Sequence, residues 1–156
     1  MLDVKPRFVA DCNVGRLARW LRAVGYDASY HARIEDAELV REAAAEHRVL
    51  LTRDRDLTRR RVVRTGVVRA VLIRDDDVTS QLRQVFSQLD LEINEALTRC
   101  IECNTQLEQR ISAAVADRVP AHVRRTQSRF SECPQCARIY WAGTHWQHMR
   151  EVLAAL

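Results

Sequence analysis

Two carboxylates directly follow an apolar run near the middle of the chain. The run ends at Thr52, and Asp54 and Asp56 then stand on either side of a single arginine. Carboxylates at such a position bind hard divalent cations, Mg²⁺ or Mn²⁺, which prefer oxygen ligands and often bridge to substrate phosphate. A cation held there would support hydrolysis of a phosphodiester bond. The alternative for either residue is a helix N-cap, whose side chain accepts a hydrogen bond from a backbone N–H.

Four of the five cysteines form two C-x-x-C pairs. Two such pairs supply the four sulfur ligands of a tetrahedral Zn²⁺ site, and a site of this kind is closed, so the metal is structural. Disulfides are disfavoured in a reducing compartment, and a redox-active C-x-x-C motif would occur once. The sequence therefore predicts a structural zinc ion bound by Cys100, Cys103, Cys133 and Cys136.

Alternating strands and helices are expected to position the carboxylates. Apolar runs predict strands over residues 7–10, 26–30, 49–52 and 67–73. Helical periodicity predicts helices that begin near residues 14, 36, 57 and 80, with Thr79 or Ser80 as the cap of the last one. This alternation favours a parallel sheet with right-handed crossovers, that is, an α/β domain.

The carboxyl ends of parallel strands lie along one edge of a sheet, where ligands commonly bind. Asp11 follows the first strand, Asp54 and Asp56 follow the third, and Asp75 follows the fourth, so these side chains are expected to converge. Clustered carboxylates raise one another's pKa unless a cation lies among them. Asp36 could join from the start of the second helix, where capping is the competing role.

Other residues near this edge are expected to be structural. Asp76 and Asp77 suit a turn, because Asp makes local hydrogen bonds there. Cys12, beside Asp11, is expected to be a small buried residue.

The C-terminal third of the chain differs in character. We expect an α/β domain over residues 1–96 and a zinc-ribbon module over 97–156, with short strands rather than helices between the cysteine pairs. An aromatic stretch follows the second pair and contains Tyr140, Trp141 and Trp146. These rings either stack on unpaired bases or form the small core of the module, and the second interpretation is favoured. His145 and His148 either contact phosphate or face solvent.

The composition says less about fold and function than these motifs do. The 156 residues suffice for one domain and a small module, and Lys5 is the only lysine among 25 basic residues. Arginine suits phosphate recognition, although codon usage explains the same bias. The formal charge of +4 is poor evidence for nucleic-acid binding, because four thiolates on Zn²⁺ would offset part of it. Without a secretory signal or a membrane-spanning run, we expect a soluble, cytoplasmic protein.

The order of several motifs resembles one family. The motifs are Asp11, GRLARWLR at 15–22, GYD at 25–27, LLTRDRDL at 50–57, RC at 99–100, CN at 103–104, the second cysteine pair, and YW-x-GTH at 140–145. Together they resemble the Mut-seven C-terminal ribonuclease family over almost the whole chain. The resemblance implies a PIN-like α/β domain with a zinc ribbon that cuts RNA with a divalent metal. It implies a metal-binding role for Asp11, Asp36, Asp54 and Asp56, and zinc binding for the four paired cysteines.

The function expected from the sequence is therefore metal-dependent (endo)ribonuclease activity. Arg16, Arg53, Arg55 and His145 are the residues expected to contact RNA, with transfer or ribosomal RNA as candidate substrates. Two alternatives remain open. One is a non-catalytic RNA-binding or ribosome-associated module, and the other is a toxin-like nuclease controlled by a protein partner.

Overall fold

A four-stranded parallel sheet forms the centre of the N-terminal part of the protein. The structure is a computed structural model that describes residues 4–93 and 96–156. The strands are β1 (Arg7–Ala10), β2 (Ala28–Tyr30), β3 (Arg48–Thr52) and β4 (Ala70–Leu72). They lie in the order β2-β1-β3-β4, and each neighbouring pair is parallel. The predicted α/β class with a parallel sheet is confirmed.

Helices cover both faces of this sheet. They are α1 (Gly15–Ala23), α2 (Asp36–Ala45), α3 (Arg55–Arg59), α4 (Arg61–Arg64) and α5 (Val78–Leu89), with a short 3₁₀ turn (Cys12–Val14) before α1. Side chains alternate across β1, so Phe8 packs into the core cluster with α1 and α5, while Val9 packs into the cluster with α2 and α3. Burial on both faces explains why these strands are continuously apolar.

Several boundaries differ from the sequence expectation, and the second strand, for example, is Ala28–Tyr30 instead of residues 26–30. The third helix is two short helices, because Arg60 has an extended ψ of 145° and interrupts the helical path. The fourth strand is limited to Ala70–Leu72, and Val67 is exposed. The cap of α5 is Asp77, whose carboxylate accepts a hydrogen bond from the Ser80 amide, and not Thr79 or Ser80. Hydrophobic periodicity does not reveal a local backbone angle, the exposure of one side chain or a capping hydrogen bond.

The C-terminal part contains a small antiparallel sheet and three helices. The strands β5 (Glu108–Arg110), β6 (Phe130–Glu132) and β7 (Ile139–Tyr140) pair in the order β5-β6-β7. The helices are α6 (Ser112–Val115), α7 (Ala121–Thr126) and α8 (Thr144–Ala154). The expectation of strands rather than helices between the cysteine pairs was wrong for α6 and α7. Val115 at the end of α6, Val119 in the bend between the two helices and Val123 of α7 pack together with Phe130.

Helix α8 packs back against the main core. Trp146, Met149 and Leu153 lie on one face of the helix and belong to the same buried cluster as α1 and α5. Trp141 packs instead against Phe130, with ring centroids 6.3 Å apart. The aromatic stretch therefore contributes to two cores. Across the described residues, no helix is both long and apolar enough to cross a membrane.

Candidate functional site

Asp11 is held rigidly where β1 ends. Its backbone N–H donates to the carbonyl of Leu51, which joins the ends of β1 and β3. Its carboxylate is buried, with 6% of the residue exposed. Oδ1 accepts a hydrogen bond from the Cys12 amide at 2.7 Å, and Oδ2 accepts one from the Thr52 hydroxyl at 2.8 Å. A buried carboxylate with two such partners has one defined orientation.

Thr52 connects Asp11 to the acidic segment after β3. Its Oγ1 is fully buried and also accepts a hydrogen bond from the Asp54 amide at 3.0 Å. Asp54 Oδ1 then accepts one from the Asp56 amide at 2.8 Å and so caps α3. The capping interpretation is therefore right for Asp54, and the same residue lies in a continuous hydrogen-bonded chain from Asp11 to Asp56. The sequence analysis did not assign a role to Thr52, although a polar residue at the end of a buried strand is a signal for such a role.

The other two predicted acids lie at the rim of this chain. Asp56 is exposed and pairs with Arg59 at 3.4 Å. Asp36 is the first residue of α2, is about half exposed, and pairs with Arg60 at 3.5 Å. Glu35, not Asp36, occupies the cap position of that helix and makes no side-chain capping bond.

Cys12, which follows Asp11, has a thiol whose pKa is raised by its surroundings. The residue is exposed, so the expectation that it is buried was wrong. Partial desolvation raises the pKa of its thiol, and so do a hydrogen bond to Asp11 and the negative charges of Asp11 and Asp36. The carboxylates of Asp11 and Asp36 therefore oppose ionisation of this thiol, as negative charges do.

Arginines and the remaining acids surround the edge. Arg53 forms an ion pair with Asp76, which links the ends of β3 and β4. Arg55 is exposed at the start of α3. Asp75 is also exposed, and its carbonyl accepts a hydrogen bond from Gln81. The structure therefore places Asp75 at the rim, with no direct link to the Asp11–Asp56 chain among the described contacts.

A cavity of about 390 Å³ opens at the 3₁₀ turn that follows Asp11, and we call it the edge cavity; the four aspartates predicted to bind metal are not among its lining residues. Its lining includes the 3₁₀ turn after Asp11, Arg16 and Arg19 of α1, Tyr30 and Asp76. Tyr30 packs directly on Gly15, where an added Cβ would lie 2.7 Å from the tyrosine ring. A larger residue at this position would displace the ring, which closes one side of the cavity. His145 lies outside it, on α8.

The four paired cysteines converge in the C-terminal part. Their sulfur atoms all lie within 4.8 Å of one another, and those of Cys100 and Cys136 are 3.7 Å apart. Tetrahedral ligands about 2.3 Å from Zn²⁺ would be roughly 3.8 Å apart, so the spacing fits this metal. Within the described part of the chain, these cysteines are the only group of three or more His, Cys, Asp or Glu side chains that converges in this way.

Hydrogen bonds and thiol pKa values also fit a metal centre. The Cys103 amide donates to Cys100 Sγ at 3.3 Å, and the Cys136 amide donates to Cys133 Sγ at 3.5 Å. Burial raises the pKa of Cys100, but hydrogen bonds from Tyr140 and backbone amides lower it to about 7. Burial and the neighbouring sulfurs raise the pKa of Cys103 to about 12. Four thiolates at this spacing thus need a cation among them.

Comparisons with known proteins place the chain in a family. The family model of the Mut7-C RNAse domain matches residues 6–153, nearly the whole chain. No curated protein and no solved structure matched the chain. The family indicates a ribonuclease-like function with RNA as substrate. The match covers nearly the whole chain, and the parallel sheet and the cysteine cluster of the structure agree with it. This chain therefore belongs to the Mut7-C RNAse domain family.

Proposed function

We propose that this protein is a metal-dependent ribonuclease that hydrolyses RNA at the carboxyl edge of its parallel sheet. The observation that carries the proposal is the hydrogen-bonded chain from Asp11 through Thr52 to Asp54 and Asp56, which joins the ends of β1 and β3. Membership of a ribonuclease domain family supports RNA as the substrate.

The donor atoms at this edge are of the kind that Mg²⁺ and Mn²⁺ bind, although no three of these carboxylates in the described part of the chain converge as the four cysteines do. Asp11, Asp54, Asp56 and Asp36 offer only oxygen ligands, which these cations prefer. An ionised carboxylate has about four lone-pair positions, so each hydrogen-bonded oxygen of Asp11 can still bind a cation. When bound, the cation would polarise the phosphodiester and stabilise the leaving oxygen.

The chain's own residues orient the site and the substrate. Thr52 fixes Asp11 by donating to Oδ2, so the carboxylate is in place before a ligand arrives. Arg16 and Arg55 are exposed near the edge and would bind the RNA phosphates. Zn²⁺ at the closed cysteine site would hold the C-terminal module together and take no part in hydrolysis.

Cleavage of end-labelled RNA with Mn²⁺ tests the proposal through Asp54→Asn. Asn is as good a helix cap as Asp, so folding stability should be unchanged while cation binding is weakened. We expect cleavage to fall by at least about 100-fold. The control is Asp117→Asn, an exposed carboxylate in the C-terminal part, which should cleave like the wild type. Equal cleavage by Asp54→Asn and the wild type would contradict the proposed ribonuclease activity at this edge.

A second candidate function is RNA binding without cleavage. The observation that favours it is the capping role of Asp54, because this role explains the residue without a cation. This candidate predicts salt-dependent RNA binding with no turnover. Cys100→Ser would abolish the binding, and Asp54→Asn would preserve it. The same cleavage assay, run beside a binding assay, separates the two functions.

A further inference from the structure

We propose that a groove between α1 and α8 binds single-stranded RNA and leads it from the zinc module to the Asp11 edge. The proposal rests on the proposed function, since it names the form of RNA that would reach that edge. It is argued from three adjoining cavities, the charges along them and the rings that line them.

The three cavities share lining residues and therefore adjoin one another. The edge cavity and a second cavity of about 180 Å³ are both lined by Arg16 and Arg19. The second cavity and a third, of about 260 Å³, are both lined by Ile101, His145 and Met149. We call the three cavities together the α1–α8 groove. One end meets the 3₁₀ turn after Asp11, and the other meets Trp141 in the C-terminal part.

Positive charge lies along the half of the groove nearest the Asp11 edge. Arg16 is exposed, and no carboxylate among the described residues pairs with it. Arg19 pairs with Glu102, which also contacts Arg138 at 3.7 Å. One carboxylate therefore lies between two guanidinium groups, which leaves excess positive charge for a phosphate. A backbone that follows this side of the groove would be attracted through its phosphates.

Aromatic rings line the middle and far parts of the groove. Trp20 lies in the second cavity and Trp141 in the third, and both are half-buried. His145 is exposed and lines both of these cavities, as do the apolar side chains of Ile101 and Met149. Bases stack on such rings only when they are unpaired, because a duplex hides their faces. The combination of arginines with separated rings therefore favours a single strand over a duplex.

Fluorescence anisotropy tests the proposal on the full zinc-loaded chain. The probe is an oligouridine of roughly a dozen nucleotides, compared with a duplex formed by the same oligouridine. All proteins carry Asp54→Asn, so that cleavage does not disturb the measurement. We expect the single strand to bind at least about 10-fold more tightly than the duplex. We also expect binding to quench tryptophan fluorescence, and Trp20→Phe to reduce this quenching.

Two exposed residues and their matched controls locate the site. Arg16→Gln should weaken binding about 3- to 10-fold and lower the slope of log K against log salt by about 0.7. His145→Ala should weaken it by a similar factor. The controls are Arg64→Gln on α4 and His148→Ala, one turn further along α8, and neither residue lines the groove. Both controls should bind like the parent protein.

The outcomes separate this proposal from the ribonuclease proposal. If both groove variants bind RNA as the parent protein does, or if duplex and single strand bind equally, the groove proposal is wrong. The ribonuclease proposal would not be affected by either result. Preference for a peptide over RNA would also overturn it. If the wild type never cleaves RNA but the groove variants lose binding, the ribonuclease proposal fails and the groove stands.

Discussion

Thr52 is the residue on which the geometry of the acidic edge depends. It is fully buried, donates to Asp11 and accepts from the Asp54 amide, so one hydroxyl positions two separate segments. The sequence could identify the acids, because carboxylates follow three of the predicted strands. It could not identify the hydroxyl between them, because the partners are 41 residues apart along the chain.

Replacing Thr52 by Val should test this dependence. Valine fills the same volume but leaves Asp11 Oδ2 and the Asp54 amide without their partner, so we expect a loss of about 1–3 kcal/mol in the free energy of unfolding. Urea unfolding measures it. The control is Thr65→Val, which removes an exposed hydroxyl bonded to the Arg61 carbonyl and should cost less than about 0.5 kcal/mol. Equal stability of Thr52→Val and the wild type would contradict the role given to Thr52.

Asp27 illustrates a motif residue with a structural role. Burial raises the pKa of its carboxyl, but hydrogen bonds from Arg48, Asn104 and Arg7 lower it to about 2. The pKa in the unfolded chain is near 3.8, so the ionised form stabilises the fold above about pH 4. This contribution is lost as the pH falls from about 4 towards 2.

The stability of Asp27→Asn should therefore depend on pH. At pH 7 we expect the variant to be less stable by about 2 kcal/mol, since one pKa unit corresponds to about 1.4 kcal/mol. Urea unfolding near pH 3 should show a smaller difference from the wild type. A difference that stays constant between these two pH values would show that Asp27 does not act through its charge.

At the scale of elements, the side chains of Arg22 and Asn104 hold the first cysteine knuckle against the start of β2, beside the ion pair of Arg19 with Glu102. Arg22 of α1 is buried and donates to the carbonyls of Ala28, Ile101 and Glu102 at 2.7–3.0 Å. Asn104 accepts from the Ala28 amide at 3.0 Å and donates to Asp27 at 2.8 Å. The start of β2 is therefore held by residues next to the predicted zinc ligands.

Removal of zinc should therefore be detectable at β2. Chelation frees the knuckle, so the hydrogen bond from the Ala28 amide to Asn104 should open, and this amide should exchange with solvent at least about 10-fold faster. The Asp11 amide, which bonds within the sheet to Leu51, is the internal control and should keep its protection. Hydrogen exchange read out by NMR measures both. Unchanged protection of Ala28 in the metal-free chain would contradict this coupling.

The elements show where sequence reasoning succeeds and where it does not. Continuous apolar runs and one-face periodicity identified the strands and most helices of the α/β part, because burial alone determines them. The helices between the cysteine pairs were missed because they span only a few residues each. Pro120 separates them, so Val115 and Val123 lie on different helices and form no single periodic face, and zinc-ribbon strands were expected there instead.

At the scale of the whole molecule, α8 connects the two parts that the sequence divides at residue 96. Met149 of α8 is buried in the main core cluster and also lines the α1–α8 groove beside Trp20 and Ile101. The end of the chain thus completes a core that begins at β1. Division into two domains at residue 96 remains a prediction, and the packing of α8 supports strong coupling between them.

This packing predicts that the zinc-loaded chain unfolds in one cooperative transition. Far-ultraviolet circular dichroism and tryptophan fluorescence should give the same urea midpoint, because α8 carries Trp146 within the common core. Met149→Ala should lower the free energy of unfolding by about 2–5 kcal/mol and shift both midpoints together. His148→Ala, the exposed neighbour, should leave them unchanged. If the two probes separate, with only the fluorescence midpoint moved by Met149→Ala, then α8 stabilises the C-terminal module alone and the two parts fold independently.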